Sequence, residues 1–131
     1  MENGLFGFII DNDIQFDIAN KRLTRISAVY PERSMIMGAV ALNDVMVRFL
    51  KCLFTRVAKG EQTVSKEIFL KEVWEDHNLV ASSQQLWKTI RELRFKLISI
   101  GLNQDFIFNV GKVGYALKSH AITPLFYRLI L

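Results

Sequence analysis

The hydrophobic pattern of this chain changes period twice, and the order of those changes limits its fold more than any other feature. Near the N-terminus Ile14, Phe16 and Ile18 alternate with Gln15 and Asp17, the period of a strand with one buried face. Asp11-Asn12-Asp13 before this run and Ala19-Asn20-Lys21 after it have turn chemistry. A meander of strands is expected at about 6–10, 14–18, 22–27 and 34–38. Over residues 43–57 the period becomes helical. Met46, Phe49, Leu50, Leu53 and Val57 share a face, Asn43 is placed to cap the first turn, and Gly60 marks the stop. A second helix is expected from the cap Ser65 to about Asp76, with Phe69, Leu70, Val73 and Trp74 as its apolar stripe. Beyond a third helix, Asp105–Val110 and Tyr115–Lys118 flank a glycine-bearing turn and read as a hairpin. The order predicts an α+β domain: antiparallel meander, three helices, closing hairpin.

The third helix carries the functional signal. Ser82 followed by Gln85 matches a capping box and starts the helix near Ser83. Leu86, Ile90, Leu93 and Leu97 fall within an arc of roughly 60° at 100° per residue. Gln84, Lys88, Arg91 and Phe95 project from the opposite side, with Trp87 and Arg94 on the flanks. Arginine and lysine neutralise phosphate or donate to guanine O6 and N7, and glutamine pairs with adenine N6 and N7. A helix showing such donors, held from behind by a narrow apolar seam, suits a major groove about 12 Å wide. Charge is uneven in the same sense. Residues 82–104 carry Lys88, Arg91, Arg94 and Lys96 against Glu92, whereas residues 65–81 carry two lysines against four carboxylates. A solvated helix face explains four cations equally well, and the order of elements tips the reading toward DNA.

Composition narrows the alternatives. At 131 residues, half of them hydrophobic and 23% charged, the chain can bury one core. A net charge of +4 permits a polyanionic partner. A single cysteine excludes a disulfide framework and a cysteine-built zinc site. With two histidines there is little material for a catalytic or metal cluster, so no enzyme and no cofactor are expected. Glu2 stands where an export signal wants positive charge, and no run approaches the roughly 20 apolar residues of a membrane span. A cytoplasmic domain is expected.

Other residues read more plainly. Cys52 is expected as a small buried hydrophobe, His77 and His120 as loop and tail residues, and Asp11 and Asp13 as parts of a hairpin turn. Gly111-Lys112-Val113-Gly114 is too short for a phosphate loop. Trp87 can pack at the helix margin, stack on a sugar or meet a thymine methyl. Phe95, on the polar face, fits a contact between copies or with another protein. The apolar residues 120–131 form a tail that either covers the sheet or leads toward a membrane span in a longer chain.

Three segments, VSKEIFLKEVW (64–74), SSQQLWKTIRELRFKL (82–97) and IFNVGKVGYAL (107–117), stand in the order and spacing of a known family. The chain resembles the OmpR/PhoB-type winged helix-turn-helix DNA-binding domain over roughly residues 5–118. The position of the domain close to residue 1 is similar to the ToxR/CadC-like subgroup of transcriptional regulators. The resemblance implies a domain spanning 1–119, a recognition helix at about 83–99 and a wing near 105–118. It implies contacts with double-stranded DNA from Gln84, Trp87, Lys88, Arg91 and Arg94 on the helix, Trp74 at the end of the second helix, and Asn109, Lys112 and Tyr115 in the wing. It also implies an RNA polymerase contact through the loop His77–Ala81, and binding by a homodimer or in tandem on half-sites. In the subgroup a membrane partner would lie beyond the C-terminal tail. Glu92 and Phe95 depart from positions that are often basic in the family, and Lys112 stands one residue later than the usual wing arginine. A winged-helix module that binds protein and no DNA is the alternative.

Overall fold

A computed structural model of the chain describes residues 3–26, 38–118 and 121–128, and the counts below are of these described residues. Strands β1 (Asn3–Ile10), β2 (Ile14–Asp17), β3 (Arg22–Arg25) and β4 (Ala39–Ala41) precede helix α1 (Asp44–Ala58). Strand β5 (Val64–Ser65), helix α2 (Lys66–Phe69) and helix α3 (Ser83–Ser99) follow. Strands β6 (Ile107–Val110), β7 (Gly114–Leu117) and β8 (Ile122–Arg128) complete the chain. The first sheet is antiparallel in the order β4-β3-β2-β1-β8, and the second runs β5-β7-β6.

Local chemistry accounts for most of these boundaries. Within the three-residue connection Asp11–Asp13, Asp11 and Asn12 both take positive φ, 53° and 58°, a twist that suits a hairpin. The Asn43 side chain accepts the Met46 amide at 2.8 Å and starts α1, and Gly60 leaves it at φ 98°. Ser65 caps α2 by accepting the Ile68 amide.

The fourth strand expected at 34–38 lies, apart from Gly38, outside the described residues; β3 pairs with Ala39–Ala41. Two expectations need correction. The second helix is not one α-helix to Asp76. After Phe69 it widens into a π turn at Leu70–Trp74 and tightens into a 3₁₀ turn at Glu75–His77. A turn closed by i→i+5 bonds advances less per residue, so Phe69, Val73 and Trp74 can all face inward, and all three are buried. The residues read as a tail form β8, which pairs with β1 from Asn3↔Arg128 to Ile10↔Ile122. The domain boundary expected at 119 thus falls between β7 and a strand that extends the first sheet. Pro124 sits on this edge strand, where a missing N–H is tolerated.

Helix α1 is the centre of the core because it buries two faces. Phe54 meets Phe8, Phe16 and Phe106 edge-on at 5.5, 5.9 and 6.2 Å between ring centroids. About 140° around the helix, Phe49 stacks on Phe69 at 4.4 Å, and Tyr115 closes that cluster at 6.3 and 5.9 Å. One side of α1 therefore holds the first sheet and the other holds α2 and the second sheet. Arg25 links the first sheet to α3: its guanidinium, almost wholly buried, donates to the Asp13 carboxylate and to the Ile100 carbonyl at the end of α3.

Cys52 is buried on α1, as its position in the stripe predicts. Burial, reinforced by the nearby Glu72 carboxylate, pushes its thiol up to about 12. A neutral thiol of this kind contributes stability that is complete below the ordinary thiol value near 9 and lost as pH rises toward 12. The stability difference between the wild-type chain and Cys52→Ala is expected to shrink over that window in denaturant titrations. A difference independent of pH would contradict the placement.

Candidate nucleic-acid interface

Helix α3 begins where the Ser82 hydroxyl accepts the Gln85 amide at 3.1 Å. It ends where Gly101 takes φ 102° and the Leu102 amide reaches back to the Leu97 carbonyl at 2.9 Å. Leu86, Ile90, Leu93 and Leu97 are all buried, so the apolar seam faces the core as its spacing predicts. Gln84, Trp87, Lys88, Arg91 and Phe95 stand exposed on the far side. The wing is the hairpin β6–β7, whose turn Gly111–Val113 carries Lys112 in solvent and closes with Gly111 at φ 53°. Asn109 is exposed on β6.

The exposed face is organised by contacts within it. Lys88 lies 3.9 Å from Glu92, one helical turn on, which moderates its charge. Arg91 has no acidic partner among the described residues, and its guanidinium carbon sits 4.7 Å from the centroid of the Trp87 ring. Between α3 and β6 runs a groove of about 520 Å³, lined by Trp87, Arg91 and Phe95 on one wall and Phe108 and Asn109 on the other. Phe108 was not singled out from sequence. The signal was present in the alternation of β6, where Ile107 points in and Phe108 out.

Two expected contact residues stand in the core, and a third lines the groove but is engaged by the protein's own backbone. Trp74 and Tyr115 are only 4% and 5% exposed and belong to the core, Trp74 because of its place in the apolar stripe and Tyr115 because of its contacts with Phe49 and Phe69. Burial also raises the Tyr115 hydroxyl above its ordinary value. Arg94, expected on DNA, donates from Nε and Nη2 to the Ile107 carbonyl at 3.3 and 2.8 Å. It ties α3 to the wing and sets their relative placement.

A second cleft of about 450 Å³ lies between α1 and the second helix. Its lining carries Arg48, Lys51, Arg56, Lys59 and Lys71 against Glu61, Glu72 and Asp76, and Arg56 and Lys71 pair with these carboxylates. The loop after the second helix is exposed, with Val80 83% and Leu79 45% accessible. Among the described residues no group of histidine, cysteine and carboxylate side chains is arranged to hold a metal. No helix of the described residues is long and apolar enough to cross a membrane.

A three-helix core whose third helix shows an amide, cations and aromatics beside a β-hairpin defines a winged-helix domain of the DNA-binding class. The family model described as "Transcriptional regulatory protein, C terminal" matches residues 39–117, more than half of the chain. The chain belongs to that family, the OmpR/PhoB-type C-terminal DNA-binding domains of transcriptional regulators, a family of DNA-binding regulatory domains and not of enzymes. The match runs from the first residue of β4 to the last of β7, so β1–β3 and β8 lie outside it. No curated protein matches the chain.

Proposed function

We propose that this domain binds double-stranded DNA sequence-specifically, with α3 in the major groove and the β6–β7 wing on the adjacent backbone. The observation that carries the reading is the exposed set Gln84, Lys88 and Arg91 on a helix whose opposite face is anchored in the core. Arg91 is the principal base contact, Lys88 and Lys112 meet phosphate, and Gln84 and Asn109 donate and accept at base edges or sugar. One domain offers a modest contact area, so specific binding uses two domains on neighbouring half-sites, as a homodimer or in tandem. The exposed Leu79 and Val80 in the His77–Ala81 loop provide an apolar contact for RNA polymerase. The domain works in the cytoplasm, where its DNA lies; a longer chain anchored in the membrane remains part of the ToxR/CadC-like reading.

Arg91→Ala is expected to cost about 1–3 kcal/mol of specific binding and to relax base preference at one position, measured by fluorescence anisotropy on duplexes selected from a random pool. The wild-type affinity is expected to fall steeply with salt, because each neutralised phosphate releases counterions. An affinity insensitive to both the substitution and salt would favour the protein-binding alternative, which the exposed Phe95, Phe108 and Val80 would then serve.

A further inference from the structure

Trp87 is 59% exposed, so it contributes little to the core, yet its ring lies 4.7 Å from the guanidinium carbon of Arg91, a cation that forms no ion pair among the described residues. We infer that Trp87 is a positioning residue: its ring holds the Arg91 guanidinium in one orientation, and this decides how strongly the domain prefers guanine over other bases. The inference rests on the DNA-binding reading of α3 and deepens it.

Free arginine side chains sample many rotamers and lose that freedom when they form a bidentate pair. A guanidinium lying over an indole face has part of that restriction in place before DNA arrives. The fork remains available, because no acceptor among the described residues engages the Arg91 N–H donors, which can reach guanine O6 and N7. The attraction strengthens when DNA excludes water from the groove, since a cation over a ring gains most where it is desolvated. Lys88 lacks this device. It faces Glu92 at 3.9 Å, and its ammonium has no planar fork to orient. The neighbouring groove wall, with Phe95 and Phe108, leaves space beside the stacked pair for a base edge. Trp87 thus acts through Arg91, and its loss should lower discrimination and leave charge-driven affinity unchanged.

The test uses the full chain and duplexes recovered from a random-sequence pool. Trp87→Leu is expected to reduce the preference for guanine over adenine at the Arg91-dependent position by about tenfold, while Trp87→Phe retains most of it. The slope of affinity against salt should not change in either variant, since no phosphate contact is removed. In an Arg91→Ala background, Trp87→Leu should have no further effect on base preference. A persisting effect would mean that Trp87 touches DNA itself and would overturn the inference. In the DNA-free protein, the Arg91 side-chain protons should show an upfield ring-current shift that Trp87→Leu abolishes; its absence in the wild-type chain would also overturn the inference. If Trp87→Leu selects the same sequences with the same discrimination, the inference fails and the DNA-binding reading stands. If the wild-type chain selects no sequence at all, that reading fails and takes the inference with it.

Discussion

Phe54→Ala is expected to destabilise the domain by about 3–5 kcal/mol, the range for deleting a fully buried aromatic ring. Phe54 is wholly buried and touches Phe8 and Phe16 of the first sheet together with Phe106, just past α3. Its removal opens a cavity where three elements meet, and none of the three can close it without giving up its own pairing: β1 and β2 are locked to each other by their register. Urea unfolding followed by far-UV circular dichroism measures the loss. Phe126→Ala, on the exposed edge strand β8, is the comparison and should stay within about 0.5 kcal/mol. A cost for Phe54→Ala below about 1 kcal/mol would mean that the sheet does not pack on α1 as described.

Gly114→Ala is expected to be nearly as damaging for a different reason. A Cβ at Gly114 would lie 1.9 Å from the Val64 carbonyl oxygen and 2.8 Å from the Ser65 Cα. Both are backbone atoms, so no side chain can swing aside, and β5 must separate from β7. The cost should reach about 3 kcal/mol, the upper end for overpacking. The damage has a functional direction. Ser65 caps α2, and the Lys66 amide donates to the Val113 carbonyl in the wing turn at 3.1 Å, so releasing β5 loosens the wing together with the start of the helix-turn-helix. Hydrogen exchange should quicken at the Lys66 and Tyr115 amides, and DNA affinity should fall with stability. Gly38→Ala, where an added Cβ meets nothing within 4 Å, should have little effect. Equal effects at the two glycines would refute the steric argument.

Much of the helix-turn-helix was legible from short-range pattern. The three caps Asn43, Ser65 and Ser82 all accept the amides their positions predict, because capping depends on residues three apart and on little else. The seam Leu86-Ile90-Leu93-Leu97 faces inward for the same reason: helical geometry alone brings these residues together. The exposed set on α3 follows as the complement of that seam. Trp74 is buried as its place in the apolar stripe predicts, and the contact with DNA that the resemblance implied for it drew on no local pattern; what a regular 3.6-residue wheel does not anticipate is the π turn that carries it. The partner of Arg94 was not readable either. Its guanidinium looked free on the helix flank until β6, 13 residues on, brought the Ile107 carbonyl beneath it.

By itself, then, the chain's order of side chains determined the elements, their caps, the inward seam of α3 and the polar and cationic complement it shows to solvent. All of these arise from interactions within a few residues. Only the tertiary structure decided that residues 122–128 join β1 as a strand, that α1 is covered on two sides, that Arg25 and Arg94 serve the protein's own carbonyls, and that Arg94 fixes where the wing stands beside α3. The reason is physical. Strand pairing, and hydrogen bonds to the carbonyl of a distant strand or helix end, join residues whose separation along the chain carries no periodic signal, so their partners are chosen only when the whole core closes.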